Sequence, residues 1–212
     1  MSATILSFEE ALDRARELLN NSSDRVIIGI VGKPGAGKST LSSFLLENLP
    51  SSHVSLIPMD GYHLSNVQLA QLGRSDRKGA PDTFDAFGFA ALLKRVKSST
   101  DDVYFPIFHR EIEESIAAEG VVTAQTKLVI TEGNYLLHNG IGWSEVSPLL
   151  TESWYVDVDD DVRLDRLVDR HHFFGKERQA AYEWAHGTDE NNAKLVEMSR
   201  HLADFLVHNA AR

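Results

Sequence analysis

The sequence predicts an α/β fold, a five-stranded parallel sheet with helices on both faces, and three observations predict it. Short continuous apolar runs recur at Val26-Ile-Ile-Gly-Ile-Val31, Val54-Ser-Leu-Ile57, Leu128-Val-Ile130, Trp154-Tyr-Val156 and Phe205-Leu-Val207. Runs of this kind, bounded by turn residues, suit strands buried on both faces. Helical periodicity fills the intervals between them, as alternating βα units require. Finally, a glycine-rich turn, Gly32-Lys-Pro-Gly-Ala-Gly37, joins the first run to a helical pattern.

Taken in order, the chain opens with Ser7 and Glu10 in capping-box spacing, followed by Ala11, Ala15, Leu18 and Leu19 on one stripe, which predicts a helix ending near Asn20-Asn21. The remaining helical patterns lie at Ser39 to Asn48, Phe84 to Lys97, Asp160 to His171, Lys176 to Ala185 and Asn191 to Leu202. Residues 103–122 break the alternation and read as two extended pieces around a polar turn, a flap inserted before the third buried run. Neither an internal repeat nor a linker interrupts 1–212, so a single domain is expected, with the flap and a lid at about 160–186.

Composition limits the chemistry. The absence of cysteine removes thiolate metal sites, cysteine nucleophiles and disulfides, and fits a reducing compartment. With 21 Lys and Arg against 31 acidic residues the net charge is −10, which disfavours nucleic acid as a partner and makes any cationic cluster informative. No apolar segment is long enough to cross a bilayer, and the first residues lack the pattern of a signal peptide; a cytoplasmic protein away from membranes is expected.

Gly32-Lys33-Pro34-Gly35-Ala36-Gly37-Lys38-Ser39 fits G-x-x-x-x-G-K-[ST] between a strand and a helix, the context a phosphate-binding loop needs, and predicts a P-loop NTPase fold. Gly35 and Gly37 let backbone N–H groups turn inward to phosphate oxygens, and the following helix through Thr40 adds its positive end. Lys38 supplies a point charge to the terminal phosphates of ATP, and the Ser39 hydroxyl suits Mg2+. A dinucleotide G-x-G-x-x-G pattern is not met.

Two acids follow strand ends on the same rim. Asp60, in Pro58-Met-Asp-Gly-Tyr62-His63, is placed to accept a proton from an attacking hydroxyl; the bland alternative is an Asp that stabilises a tight Asp-Gly turn. Glu132, in Thr131-Glu-Gly-Asn-Tyr135, is placed to assist Mg2+. Arg163, Arg166 and Arg170 fall at i, i+3 and i+7 on one helix face, which in an acidic protein wants an anion; the bland alternative is a solvated face paired with Asp165 and Asp169. Asp157-Val-Asp-Asp-Asp161 opens like a calcium loop but has Val162 and Val168 where Gly and Glu are needed, so these acids are read as caps of the lid helix. In the flap, Tyr104 and Arg110 are candidates for holding a polar acceptor.

A phosphate loop, then an acid after the second strand, then Glu-Gly after the third, resembles the uridine kinase, phosphoribulokinase and bacterial pantothenate kinase group from about Val26 to Val207. The resemblance implies Asp60 as catalytic base, Glu132 beside magnesium, and the arginines as a lid over the phosphates. Arg77-Lys78-Gly-Ala-Pro-Asp-Thr-Phe-Asp85 is similar to the pantothenate kinase branch, which puts Arg77, Lys78, Tyr62 and His63 near the acceptor; Asp82 also reads as an N-cap for the helix beginning near Phe84. Asn191 and Ser199-Arg200-His-Leu-Ala-Asp204 look like that branch's pattern near the nucleotide base, with Leu202 where a second arginine is expected. The expected activity is ATP-dependent phosphoryl transfer to a hydroxyl of a small molecule. Nucleoside, sugar and pantothenate-like acceptors stay open, with a lean to nucleoside or sugar, and a homodimer is left open. The competing class is a nucleotide-hydrolysing regulatory module, against which stands the lack of a guanine-reading Asn-Lys-x-Asp.

Overall fold

The computed structural model describes residues 4–209. In chain order its elements are β1 (Thr4–Leu6), α1 (Phe8–Asn21), β2 (Val26–Val31), α2 (Lys38–Asn48), β3 (Val54–Pro58), α3 (Asn66–Gln71), α4 (Ala86–Ser98), β4 (Val103–His109), β5 (Glu114–Val122), β6 (Leu128–Gly133), β7 (Glu152–Asp157), α5 (Asp160–Phe173), α6 (Arg178–Trp184), α7 (Glu190–Glu197) and β8 (Phe205–His208). The main sheet is parallel, in the order β1-β8-β7-β2-β6-β3. It has six strands where five were expected. The addition is β1, which pairs Thr4 with Phe205 and Leu6 with Val207 at the sheet edge. Three residues with Ile5 65% exposed carry too little buried apolar surface to stand out as a strand in the sequence.

Strand β2 shows why the sheet is covered on both faces. Ile27 and Val31 point into one cluster with Phe89, Leu93 and Val96 of α4, while Val26, Ile28 and Ile30 point into another with Ala11 and Ala15 of α1 and Leu41 and Leu45 of α2. Each such side chain contributes about 1.5–3 kcal/mol by leaving water, so a polar substitution on either face would strip helices from the sheet. α1 starts at a complete capping box, with Ser7 Oγ accepting from Glu10 N at 3.2 Å and Glu10 Oε2 accepting from Ser7 N at 2.7 Å. α4 is capped by Asp85, which accepts from Gly88 N at 2.8 Å; the expected cap, Asp82, instead meets Arg77 at 2.9 Å. The acids ahead of α5 are also corrected, since Asp159 stands at the N-cap without a side-chain cap and Asp160 is used in ion pairs.

The flap is the antiparallel pair β4 and β5, running from Val103 opposite Val122 to His109 opposite Glu114. Its register slips between Phe105 and Ile107, at Pro106, which has no N–H to give to the ladder. α5 and α6 share a separate apolar cluster of Leu167, Val168, Ala181 and Ala185. A π turn, Ala185–Asp189, joins α6 to α7.

Candidate active site

β2 leads through α2 to β3 on one side of the sheet, whereas its neighbour β7 leads to β8 on the other, so the connections leave these two strands in opposite directions and a crevice opens at their carboxyl ends. The register levels the rim: Glu132 lies opposite both Ile30 and Pro58. A cleft of about 840 Å³ opens there. Of the sequence candidates it takes in Pro34, Gly35, Gly37, Lys38, Ser39, Thr40, Asp60, His63, Lys78, Arg110, Glu132, Arg166 and Arg170.

The phosphate loop turns on Gly35 and Gly37, with φ of 80° and 92°. A Cβ on Gly35 would sit 2.8 Å from the Arg163 carbonyl, so the lid helix packs directly on the loop. Lys38 Nζ donates to the carbonyls of Gly32 at 2.9 Å and Lys33 at 3.0 Å, and to Asn134 Oδ1 at 2.7 Å. Burial pulls its pKa down to about 8 against the opposing pull of Glu132 and Asp60. At the start of α2, Ser39 Oγ donates to Glu132 Oε1 and Ser42 Oγ to Glu132 Oε2, both at 2.9 Å. These oxygen donors suit a hard cation held by one or two protein groups together with phosphates. No group of three or more acidic, His or Cys side chains positioned to cage a metal occurs among the described residues.

Asp60 follows β3 in a tight turn, Met59–Tyr62, and its carboxylate is a third exposed, open toward the cleft and otherwise enclosed. The turn is pinned by His63. Its Nδ1–H donates to the Asp60 carbonyl at 2.8 Å, and its ring lies between Phe84, at 4.0 Å, and Phe108 of the flap, at 4.6 Å. Burial lowers the His63 pKa against the opposing pull of Asp60. Burial alone would raise Asp60; the electrostatic influence of His63, followed by that of Arg110, Lys38 and Arg170, outweighs it and holds the carboxyl below its usual range. Arg110, at the flap turn, makes the direct contact, Nη2 to Asp60 Oδ2 at 2.8 Å.

Several expected site residues are placed elsewhere. Arg163 is a correction: it is 1% exposed and clamped by Asp160, Glu190 and the Pro34 carbonyl, so it fastens α5 to the phosphate loop. Arg166 and Arg170 do face the cleft, and an alanine at Gly37 would come within 3.6 Å of Arg166 Nη1. Gly32 and Ala36 are buried inside the loop, and Lys33 reaches Asp160 at 2.6 Å. Tyr62 packs inward on Phe89, ring centroids 5.4 Å apart. Arg77 is taken by Asp82 and Tyr104 is 56% exposed; neither lines the cleft. Asn191 faces outward while Asn192, 5% exposed, lines the cleft. Arg200 pairs with Asp157 at 2.6 Å beside Tyr155, outside the cleft.

Sequence reasoning read the flap aromatics around Phe108 as an apolar wall, and Phe108 lines the cleft; it missed Ser42 and Asn134, which hold Glu132 and Lys38, and the further aromatics Phe174 and Trp184. Ser42 was findable, three residues beyond Ser39 and hence on the same helix face. Lys176 Nζ lies 4.6 Å over the Trp184 ring, and His171 Nε2 is 2.6 Å from Asp189, closing the lid side.

Comparison with known proteins bears on the fold and the family. The profile of the Phosphoribulokinase / Uridine kinase family matches residues 27–206. A Schizosaccharomyces pombe protein provisionally named a uridine kinase is 34% identical, over 96% of this chain and 91% of its own. A Yersinia enterocolitica pantothenate kinase is 30% identical over 85% of this chain and 60% of its own length. A crystal structure of a Silicibacter protein, provisionally described as a fructose transport system kinase, superposes with a TM-score of 0.83 at 34% identity, covering 92% of this chain and 97% of that one. No helix among the described residues is long and apolar enough to cross a membrane. This kinship supports P-loop kinase activity on a small molecule, and the chain belongs to the phosphoribulokinase / uridine kinase family.

Proposed function

We propose that the protein transfers the γ-phosphoryl group of ATP to a hydroxyl of a small molecule, with Asp60 as the base. The observation that carries this reading is that Asp60 and Lys38 face one cleft from the segments that follow β3 and β2, on either side of β6, close enough for each to perturb the other's ionisation. The acceptor O–H gives its proton to Asp60 as its oxygen bonds to the γ-phosphorus, and the bond to ADP breaks. In a loose phosphoryl-transfer transition state the proton moves late, so a carboxylate of depressed pKa is still adequate. Lys38, Arg166 and Arg170 face the phosphates and offset the charge that develops on them. Ser39 and Glu132 would hold Mg2+, which supplies further charge neutralisation at the phosphates.

The compounds in the relatives' names differ, uridine in one, pantothenate in another and a fructose transport system in a third, and do not choose an acceptor for this chain. Asp60→Asn tests the base. It should keep ATP affinity and lose turnover by at least about a hundredfold, measured by ADP release with acceptor present. Unchanged turnover would remove Asp60 from the mechanism.

A further inference from the structure

The last strand of the sheet ends against the phosphate loop. Asn209, directly after β8, donates its backbone N–H to the carbonyl of Asp157 at the end of β7, at 2.9 Å, and is 3% exposed. Its side-chain Nδ2 donates to the carbonyl of Ala36 at 3.0 Å. The same nitrogen fills the space beside Gly37, where an added Cβ would lie 2.1 Å from it. Gly37 is therefore required twice over, by its φ of 92° and by the amide packed on it.

A trans peptide points its C=O and its N–H to opposite sides. No peptide bond among the described residues is cis, so holding the Ala36 carbonyl on Asn209 turns the N–H of Gly37 the other way. The cleft lining takes in Gly37 and Lys38 and leaves out Asn209, which puts the carbonyl on the outer side of the loop and the N–H on the side where phosphates would sit. Arg163 treats the Pro34–Gly35 peptide alike, its Nη1 donating to the Pro34 carbonyl at 3.4 Å. A peptide beside glycine turns easily, so each of the two needs a tether. Without Asn209 the Ala36 carbonyl is free to swing inward, where its oxygen would oppose phosphate oxygens and a charge-assisted N–H contact would be lost.

We propose that Asn209 is a positioning residue for nucleotide binding, which aims the Gly37 N–H at the phosphate chain by holding the Ala36 carbonyl away from it. The inference rests on the phosphate-loop part of the reading above and on no particular acceptor. The test uses the full chain and two variants: Asn209→Ala deletes the amide, and Asn209→Leu keeps its bulk without the donor. Calorimetry measures binding of magnesium-ATP, and displacement of ATP measures binding of magnesium tripolyphosphate, a phosphate chain with no base to contact. Both variants should bind each ligand about ten- to a hundredfold more weakly than the wild type, as expected for one hydrogen bond to a charged acceptor. The two ligands should lose affinity alike, and without ligand both variants should melt within about 5 °C of the wild type. In amide spectra at saturating tripolyphosphate, the Gly37 signal should move in the wild type and stay nearly in place in Asn209→Leu, while the Lys38 signal moves in both.

Unchanged affinity for both ligands in the folded variants overturns the proposal. So does a loss confined to ATP, which would make Asn209 a contact of the nucleotide base. Collapse of the fold in both variants overturns it as well, because Asn209 would then serve β8 rather than the loop. A wild-type protein that binds neither magnesium-ATP nor tripolyphosphate removes the phosphate-loop reading itself, and this inference goes with it.

Discussion

All three N–H bonds of the Lys38 ammonium are satisfied, two by backbone carbonyls of the loop it closes and one by Asn134, which follows β6. Those contacts do not compensate its burial, and its pKa falls to about 8. A triphosphate favours the charged form, so binding raises that pKa. Below about pH 8 the free protein already carries the proton, and affinity for ATP should be flat with pH. Above it the lysine is neutral before binding and must take up a proton, so affinity should fall by up to about tenfold per pH unit. Calorimetry at pH 7 and pH 9, in buffers of differing ionisation enthalpy, should show proton uptake only at the higher pH. A constant affinity to pH 10 would mean that Lys38 is not the phosphate contact.

Among the elements, α5 divides its labour between its two ends. Its first turn is bound to the phosphate loop through the Lys33, Asp160, Arg163 and Glu190 network, and its later turns carry Arg166 and Arg170 into the cleft. Arg163→Ala leaves the Glu190 carboxylate without its cation and Asp160 with Lys33 alone. With Glu190 30% and Asp160 58% exposed, the cost should be about 2–3 kcal/mol, or roughly 4–10 °C in melting temperature. Arg170→Ala should melt near the wild type and lose turnover instead. Should Arg163→Ala melt normally and lose turnover as severely, Arg163 acts on phosphates after all. The three arginines share one stripe in the sequence, and periodicity does not reveal which of them meets an acid from a distant segment. Other misses have equally local causes. Tyr104 and Phe108 share parity on β4, but the slip at Pro106 separates their faces, so only Phe108 reaches the cleft. The π turn before α7 adds a residue and rotates the helix phase, and Asn192 occupies the inward position expected of Asn191. The apolar runs and the glycine motif were legible because their signals are contiguous in the chain.

Across the whole molecule, the cleft draws on the carboxyl ends of β2, β3 and β6 and on the helix that follows β7, with the flap as a further wall. A ligand seated there is bound by segments that come together only when the sheet is intact, so it has no comparable site on the unfolded chain. The protein is acidic, at −10, yet the cleft is not: Lys38, Lys78, Arg110, Arg166, Arg170 and Lys176 line it against Asp60, Glu111, Glu113, Glu132 and Asp189, six cations to five acids, which spares an entering triphosphate the repulsion of the rest of the surface. Magnesium-ATP at about a hundred times its dissociation constant should add about 2.7 kcal/mol of stability. For a chain of this size that is roughly 5–10 °C in a thermal melt. Asp60→Asn should keep the shift, because its carboxylate serves the acceptor. Lys38→Ala should lose most of it, because the ammonium is the buried cation that the phosphates neutralise. A shift of the same size in Lys38→Ala would place nucleotide binding somewhere other than the loop that begins at Gly32.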